Sequence, residues 1–151
     1  MQRPRQMTTG LKAWWWILRA LEPVAPLLLS QRAARGKEDP ARRGERLGHA
    51  SRPRPDGPLV WVHGASVGES LAALPLIDQL MADGFQVLVT SGTVTSATIL
   101  AQRLPVGAIH QYVPLDIPGA VTRFLEAADF AGTVRTKVSV GTKERVRIRL
   151  N

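Results

Sequence analysis

The sequence predicts an α/β fold in which helices cover a parallel β-sheet. Short apolar runs alternate with longer stretches of helical periodicity, and turn residues separate them. The apolar runs are residues 59–62, 85–89 and 109–113, and the helical stretches are residues 70–81, 94–104 and 118–127. Strands that alternate with helices through short connections form parallel sheets with right-handed crossovers. We therefore expect half of a Rossmann-like arrangement over residues 58–130.

The first strand leads into a glycine-rich turn. Gly64 ends the apolar run, Gly68 follows, and Glu69 then opens the helical pattern. Pro75 lies inside this helical stretch and predicts a kink or a late start. The second strand ends at residues 90–93, Thr-Ser-Gly-Thr. Because ligands bind outside the carboxyl ends of the strands in open α/β sheets, we expect the site at this edge.

The segment before the sheet is apolar near its start and basic throughout. Residues 11–29 are strongly apolar but contain three charges and two prolines, which disfavours a spanning helix of about 20 apolar residues. The tryptophan triplet 14–16 suits the headgroup level of a bilayer. We predict an interfacial helix that lies on a membrane with the help of nearby cations. The alternative is a helix packed on the protein or on a partner.

Composition limits the class of protein. A chain of 151 residues without cysteine is long enough for one domain, excludes disulfides and thiolate metal sites, and fits a reducing compartment. Residues 1–55 hold 12 Lys and Arg against 4 Asp and Glu, whereas residues 56–130 hold 2 against 7. Basic arms of this kind meet phosphate on a membrane or on nucleic acid. Few aromatic residues lie among these cations, so we predict a membrane surface and no nucleic-acid partner.

Three segments follow from these patterns. Residues 1–57 form a basic helical arm and linker, residues 58–130 form the Rossmann-like domain, and residues 131–151 form an atypical basic tail. The arginines near residues 42–46 are interpreted as a solvated face, or alternatively as contacts to a phosphorylated ligand. The tail alternates apolar and cationic residues, which is typical of a half-exposed strand and not of the next buried parallel strand.

The turn at residues 64–69 favours a cleft that handles phosphate or sugar. It lacks the ending of a P-loop and the glycine pattern of a dinucleotide fold. The N–H groups of a helix start suit an anion, and the carboxylate of Glu69, ionised near a helix N-terminus, is a candidate general base. His63 is a second candidate, although a histidine at a strand end is more often structural.

Two other interpretations of the turn stay open. Residues 64–68 match G-x-S-x-G, the nucleophile elbow of serine hydrolases. A triad of Ser66, Asp83 and His110 has the right order along the chain, but neither Asp83 nor His110 lies where such a partner is expected. In the second interpretation the glycines merely permit a tight turn.

Several motifs follow one another in a fixed order along the chain. They are Gly36-Lys-Glu-Asp-Pro40 with Arg42, Glu45-Arg46-Leu47-Gly48, Trp61-Val-His-Gly-Ala-Ser-Val-Gly-Glu69, Thr90-Ser-Gly-Thr93 and His110-Gln-Tyr-Val-Pro-Leu-Asp116. Together they resemble the amino-terminal part of 3-deoxy-D-manno-octulosonic acid (Kdo) transferases. The resemblance covers about residues 11–130, and its most specific elements are Ser-Val-Gly-Glu and Tyr-x-Pro-x-Asp.

The resemblance implies the amino-terminal half of a GT-B glycosyltransferase, which has two Rossmann-like domains facing a cleft. It implies inverting transfer of Kdo from the donor CMP-Kdo to a lipid A precursor in lipopolysaccharide biosynthesis, without cofactor or metal. The family works on the cytoplasmic face of the inner membrane, to which an apolar N-terminal segment holds it. By position in the motif, Glu69 is the general base. The residues that map onto the acceptor side are Ser66, Gly68, Thr90, Ser91, Gly92 and Thr93.

The tail departs from the family. Residues 131–151 lack both the Trp-Arg-Pro-like start of the next strand and the Glu-x-Glu-x-Trp-Pro-like element, and no segment matches the donor-binding domain. We therefore expect a truncated chain that is inactive alone. A frame-shifted or prematurely ended reading would give such a tail. The alternative to an enzyme is a non-enzymatic module that binds acidic lipid at a membrane surface.

Overall fold

The computed structural model describes residues 9–128 and 138–139, and its centre is a parallel sheet. The strands are β1 (Leu59–Gly64), β2 (Gln86–Ser91), β3 (Ile109–Tyr112) and the two-residue β4 (Val138–Ser139). All pairings are parallel and the spatial order is β3-β2-β1-β4. The three predicted strands are confirmed, with shifts of one or two residues at their ends, and so is the α/β class.

Seven α-helices flank the sheet or precede it in the described part of the chain. They are α1 (Thr9–Leu21), α2 (Ala25–Ala34), α3 (Arg43–Arg46), α4 (Val67–Ala72), α5 (Leu74–Ala82), α6 (Val94–Arg103) and α7 (Pro118–Ala128). The single helix predicted over residues 70–81 is two helices, separated at Ala73. Pro75 lies in the first turn of α5, where the missing proline N–H costs no hydrogen bond, so the predicted interruption is confirmed.

The core has two layers, one on each face of the sheet. Successive strand residues point to opposite faces, so Val60 and Val62 of β1 face one layer while Leu59 faces the other. The first layer joins valines of β1 and β2 to α5 and α6, through Ile77 and Leu100 among others. The second layer joins the sheet to α7. Helices therefore cover both faces of the central strands, as parallel sheets require.

The amino-terminal arm docks on α7. Glu22, in the 3₁₀ turn between α1 and α2, pairs with Arg123 of α7 at 3.1 Å. The same guanidinium donates from Nε to the Leu47 carbonyl at 2.8 Å. Gly48 has a φ of 87° and lies so close to α7 that a Cβ there would stand 2.0 Å from the Ala120 carbonyl oxygen. Only glycine fits that position, so the arm meets α7 through a specific contact.

The arm leaves large apolar side chains in solvent. Trp14 is 57% exposed and Trp16 is 64% exposed. The remaining members of this exposed surface, which we call the arm patch, are Ile17, Val24, Leu27 and Leu28. None of the helices in the described residues combines the length and apolar character needed to cross a bilayer. Contact of the arm with a membrane surface stays a prediction.

The tail contributes a short parallel strand. Val62 pairs with Val138 and His63 with Ser139, so β4 lies beside the carboxyl end of β1. Two residues of the tail thus pair in parallel with β1, although the alternating pattern of the tail predicts a half-exposed strand and not the next buried parallel strand. A pairing of two residues is too short to show any periodicity in a sequence. The alternating residues 145–150 lie outside the described part of the chain.

Candidate functional site

The turn that follows β1 fixes the carboxylate of Glu69. Ser66 has extended backbone angles and is the N-cap residue of α4, and its Oγ accepts a hydrogen bond from the Glu69 N–H at 3.2 Å. Glu69 Oε2 in turn accepts from the Ala65 N–H at 3.0 Å. This exchange is close to a capping box, although the glutamate binds one residue earlier than usual. The Glu69 side chain is half-buried and takes part in none of the ion pairs of the described residues.

Gly64 lets strand and helix meet closely. A Cβ at this position would lie 2.5 Å from Ser70 Oγ and 3.0 Å from the Ser70 backbone nitrogen. Ser70 is buried, and its hydroxyl donates to the Ser66 carbonyl at 2.8 Å. Glycine is therefore required here because the first turn of α4 comes so close, and not because the backbone angles are unusual.

The turn that follows β2 lies directly beside this one. The register pairs Gly64 with Ser91, and a Cβ at Gly92 would stand 4.0 Å from the Ala65 carbonyl oxygen. Thr93 is the N-cap residue of α6, and its Oγ1 accepts a hydrogen bond from the Ser96 N–H at 3.1 Å. The structure thus brings both predicted turns to the carboxyl edge of the sheet. Contact of Ser66, Gly68, Gly92 and Thr93 with an acceptor stays a prediction.

Two of the predicted acceptor residues have side chains inside the protein. Thr90 and Ser91 are both 0% exposed. Thr90 Oγ1 accepts from Trp61 Nε1 at 2.8 Å and lies 2.9 Å from His63 Nδ1. Direct contact of these two hydroxyls with a ligand is incompatible with this burial. Helices cover both faces of β2, so even its last polar residues are enclosed.

His110 is held neutral by its surroundings. An Arg42 Nη2 lies 3.2 Å from His110 Nδ1, and His110 Nε2 lies 2.9 Å from Ser91 Oγ. A guanidinium only donates, so Nδ1 is the acceptor and Nε2 carries the proton that it donates to Ser91. Burial, followed by the charge of Arg42, lowers the pKa of His110 from 6.5 to about 4, while Glu45 acts in the opposite direction.

These contacts exclude the hydrolase triad. Both ring nitrogens of His110 are engaged elsewhere, and Asp83 accepts from Gln79 at the end of α5, at 2.9 Å. The hydroxyl of Ser66 contacts the Glu69 N–H and no histidine. The interpretation of residues 64–68 as a nucleophile elbow with these partners is therefore wrong.

A buried ion pair binds the backbone at the carboxyl edge of the sheet. Arg46 is 5% exposed and pairs through Nε with Glu38 Oε2 at 2.9 Å. Its other donors reach the backbone where β2 and β3 end: Nη1 donates to the Val113 carbonyl at 3.1 Å, and Nη2 donates to the Gly92 carbonyl. The expected solvated face is thus wrong for Arg46, because its charge is neutralised inside the protein.

A second ion pair covers the free edge of β3. Arg42 pairs with Glu45 through two hydrogen bonds, of 2.8 and 2.9 Å. Glu45 Oε2 also accepts from the Tyr112 N–H at 2.7 Å, and Arg42 donates to the His110 carbonyl at 2.9 Å. Two side chains of the arm therefore bind backbone groups that a neighbouring strand would otherwise bind. In the sequence, this cluster of acidic and basic residues looks like an ordinary solvent-exposed surface.

A large cavity lies elsewhere in the described residues. It has a volume of about 680 Å³ and is lined by residues that precede β3, such as Leu104 and Val106, and by arm residues such as His49 and Arg52. No residue of the Glu69 turn lines it, and the sequence pattern does not predict it. Within the described residues, no cluster of three or more His, Asp or Glu side chains is arranged to hold a metal ion.

Comparison with known proteins identifies the family. Residues 41–136 match the family model of 3-deoxy-D-manno-octulosonic-acid transferases. A probable mitochondrial Kdo transferase of Arabidopsis thaliana is 41% identical over 108 residues, which are 70% of this chain and 24% of that protein. The Kdo transferase of Rickettsia bellii is 37% identical over 108 residues, 70% of this chain and 26% of that protein. That of Bordetella pertussis is 38% identical over 118 residues, 72% and 27% respectively.

The chain spans about a quarter of the length of these curated relatives. No solved structure matches it. The match includes the turn that carries Glu69 and the ion pair of Arg42 with Glu45, so the resemblance seen in the motifs is confirmed. The chain belongs to the Kdo transferase family and corresponds to its amino-terminal portion.

Proposed function

We propose that this chain provides the acceptor side of a GT-B glycosyltransferase that transfers Kdo from CMP-Kdo to a lipid A precursor in lipopolysaccharide biosynthesis. The names of the relatives support the transferred sugar. The observation that favours an acceptor role most is the position of the Glu69 carboxylate. It stands at the edge of the sheet, half-buried and held by a backbone N–H.

The order of the strands supports a cleft at this position. β2 and β3 lie on one side of β1, and β4 lies on the other. Ligands of open α/β sheets bind where the strand order reverses, outside the carboxyl ends of the strands. The turn after β1 is next to that reversal. A ligand in the crevice would therefore meet Glu69 before it meets the rest of the sheet.

The proposed chemistry needs one carboxylate on this chain. Of the two carboxylate oxygens of Glu69, Oε2 has a hydrogen-bond partner among the described residues and Oε1 has none. Oε1 is therefore available to accept a hydrogen bond from the acceptor hydroxyl. As the new glycosidic bond forms, the hydroxyl proton passes to Glu69 and the bond from the sugar to CMP breaks. A direct displacement of this kind inverts the anomeric centre and needs no resident cofactor or metal.

The test replaces the matching segment of the Bordetella pertussis relative by this chain and measures transfer of radiolabelled Kdo. We expect Glu69→Gln to lower kcat by about 10²–10⁴-fold, the usual contribution of a general base. Asp78→Asn is the matched control, because Asp78 is an exposed carboxylate on α5. Near-normal turnover by the Glu69→Gln chimera would refute the role of Glu69.

We also propose that the donor nucleotide binds residues of the family that lie outside this sequence. The 151-residue chain is then expected to give no Kdo transfer when it is incubated alone with CMP-Kdo and a lipid A precursor. Turnover by this chain would overturn that proposal, and it would leave the role of Glu69 open to the first test.

A second candidate is a peripheral lipid-binding module without catalysis, at the cytoplasmic face of the inner membrane. The arm patch, which includes Trp14 and Trp16, favours it. The two candidates differ in their dependence on Glu69. A binding module retains its affinity for vesicles in Glu69→Gln and shows no transfer in the chimera even with Glu69 intact.

A further inference from the structure

We infer that Arg46 is a positioning residue that fixes the Gly92 turn, beside which the turn carrying Glu69 lies. The inference deepens the proposed function, and its catalytic readout depends on Glu69 being the base. Arg46 itself is buried and would touch no substrate. Its effect would pass through the backbone.

One guanidinium ties the ends of two strands together. Arg46 donates to the Gly92 carbonyl after β2 and to the Val113 carbonyl after β3, the latter at 3.1 Å. Its remaining side-chain hydrogen bonds go to both oxygens of Glu38, at 2.9 and 3.3 Å. A planar fork with five donors can reach all these acceptors at once, whereas the single ammonium of a lysine cannot.

The counter-ion is itself fixed. Glu38 is 4% exposed and accepts a third hydrogen bond from Arg32 of α2, at 2.9 Å. A buried carboxylate between two guanidinium groups holds Arg46 in a single orientation. The position of the Gly92 carbonyl is therefore set from inside the protein, without help from a ligand.

From the Gly92 turn the effect would continue to the carboxylate. The register pairs Gly64 with Ser91, so the Gly92 turn lies beside Ala65, and a Cβ built at Gly92 would stand 4.0 Å from the Ala65 carbonyl oxygen. The Ala65 N–H holds Glu69 Oε2 at 3.0 Å. If the Gly92 turn moves, the neighbouring Ala65 shifts with it and the carboxylate loses its orientation. A displacement of about 1 Å at a reacting group costs on the order of 10²-fold in rate.

The first arm of the test measures amide hydrogen exchange in the 151-residue chain. Arg46→Lys keeps the charge but loses the fork, so we expect exchange at the Ala65 amide to rise at least tenfold. Arg123→Lys is the control, because Arg123 also pairs with a glutamate and donates to a carbonyl, on α7. We expect it to leave the Ala65 amide unchanged. Unchanged exchange at Ala65 in Arg46→Lys would overturn the inference.

The second arm measures kcat in the chimera as a double-mutant cycle. We expect Arg46→Lys to lower kcat about 10–100-fold when Glu69 is present, and less than twofold in the Glu69→Gln background. Equal losses in both backgrounds would show a merely structural role and overturn the inference. If Arg46→Lys does not fold, Glu38→Gln replaces it in both arms. Should Glu69→Gln itself retain activity, the proposed function fails, and the exchange arm still decides the positioning.

Discussion

His110 shows how burial and one neighbouring cation set the protonation state of a single residue. Its folded pKa of about 4 lies below its ordinary value of 6.5, so the unfolded chain binds more protons between these values. The stability that depends on neutral His110 is therefore complete above pH 6.5 and is lost as the pH falls toward 4. Because the ring is only half-buried, we expect a loss on the order of 2 kcal/mol.

Urea unfolding at pH 7 and pH 4.5 checks this expectation. The difference between the two pH values should shrink in His110→Gln, which keeps a donor toward Ser91. His49→Gln serves as the control because the His49 side chain is exposed. An unchanged pH dependence in His110→Gln would show that other groups cause the acid sensitivity.

Gly64 and Gly68 provide a matched pair of substitutions in one turn. A Cβ at Gly64 collides with Ser70, whereas a Cβ at Gly68 meets nothing within 4 Å. We expect Gly64→Ala to lower the free energy of unfolding by about 1–3 kcal/mol. Gly68→Ala, in a helix, should leave it equal or raise it by up to about 1 kcal/mol. Thermal or urea unfolding of both variants is sufficient, and equal stabilities would contradict the close approach.

At the scale of the element, side chains finish the free edge of β3. Val113 N–H bonds to Ser91 of β2 at 3.0 Å, and alternation then turns the backbone groups of His110 and Tyr112 outward. The Arg42–Glu45 pair binds one group of each of these two residues. An unpaired edge strand is a template for association with other chains. The ion pair thus protects the sheet as well as stabilising it.

Glu45→Ala tests this protection. The substitution leaves the Tyr112 N–H and the Arg42 charge without their partner, which should cost about 3–5 kcal/mol. We also expect aggregation, detected by light scattering under conditions in which the wild-type chain stays monomeric. Glu126→Ala, at an exposed position of α7, is the control. A monomeric Glu45→Ala chain of normal stability would contradict the role of the pair.

At the scale of the whole molecule, the arm patch and the Glu69 turn belong to different elements of the chain. The arm carries exposed tryptophans, whereas the turn sits at the carboxyl edge of the sheet. We expect Trp14→Ser with Trp16→Ser to weaken binding to anionic vesicles by roughly tenfold or more, since affinity scales with inserted apolar area. Leu125→Ser, at an exposed position of α7, should bind as the wild type does.

Vesicle sedimentation at low and high salt separates the two forces. Attraction of the basic arm to acidic lipid weakens as salt screens it, whereas the tryptophan contribution persists. Equal binding of the double tryptophan variant and the wild type would place the membrane contact outside the arm patch.

The sequence predicts the three long strands well because each is a short apolar run of the right length, and Pro75 marks the break between α4 and α5. It does not predict what Arg42 and Arg46 do. Arg46 reaches Val113, 67 residues away, and only the folded chain reveals that contact. Clustered acids and bases look the same on a solvated helix and in a buried network. The sequence also does not tell whether the side chains of Thr90 and Ser91 are exposed or buried, since residues at a strand end can face a cleft or an enclosing helix.

Because the edge of β3 is covered, further strands can be added to the sheet on its other side. With that flank occupied by Arg42 and Glu45, another parallel strand can join only past β4. Its carboxyl end would then open onto the same rim as Glu69. A strand added past β4 would therefore bring its end close to the Glu69 carboxylate. The first three strands would keep their positions.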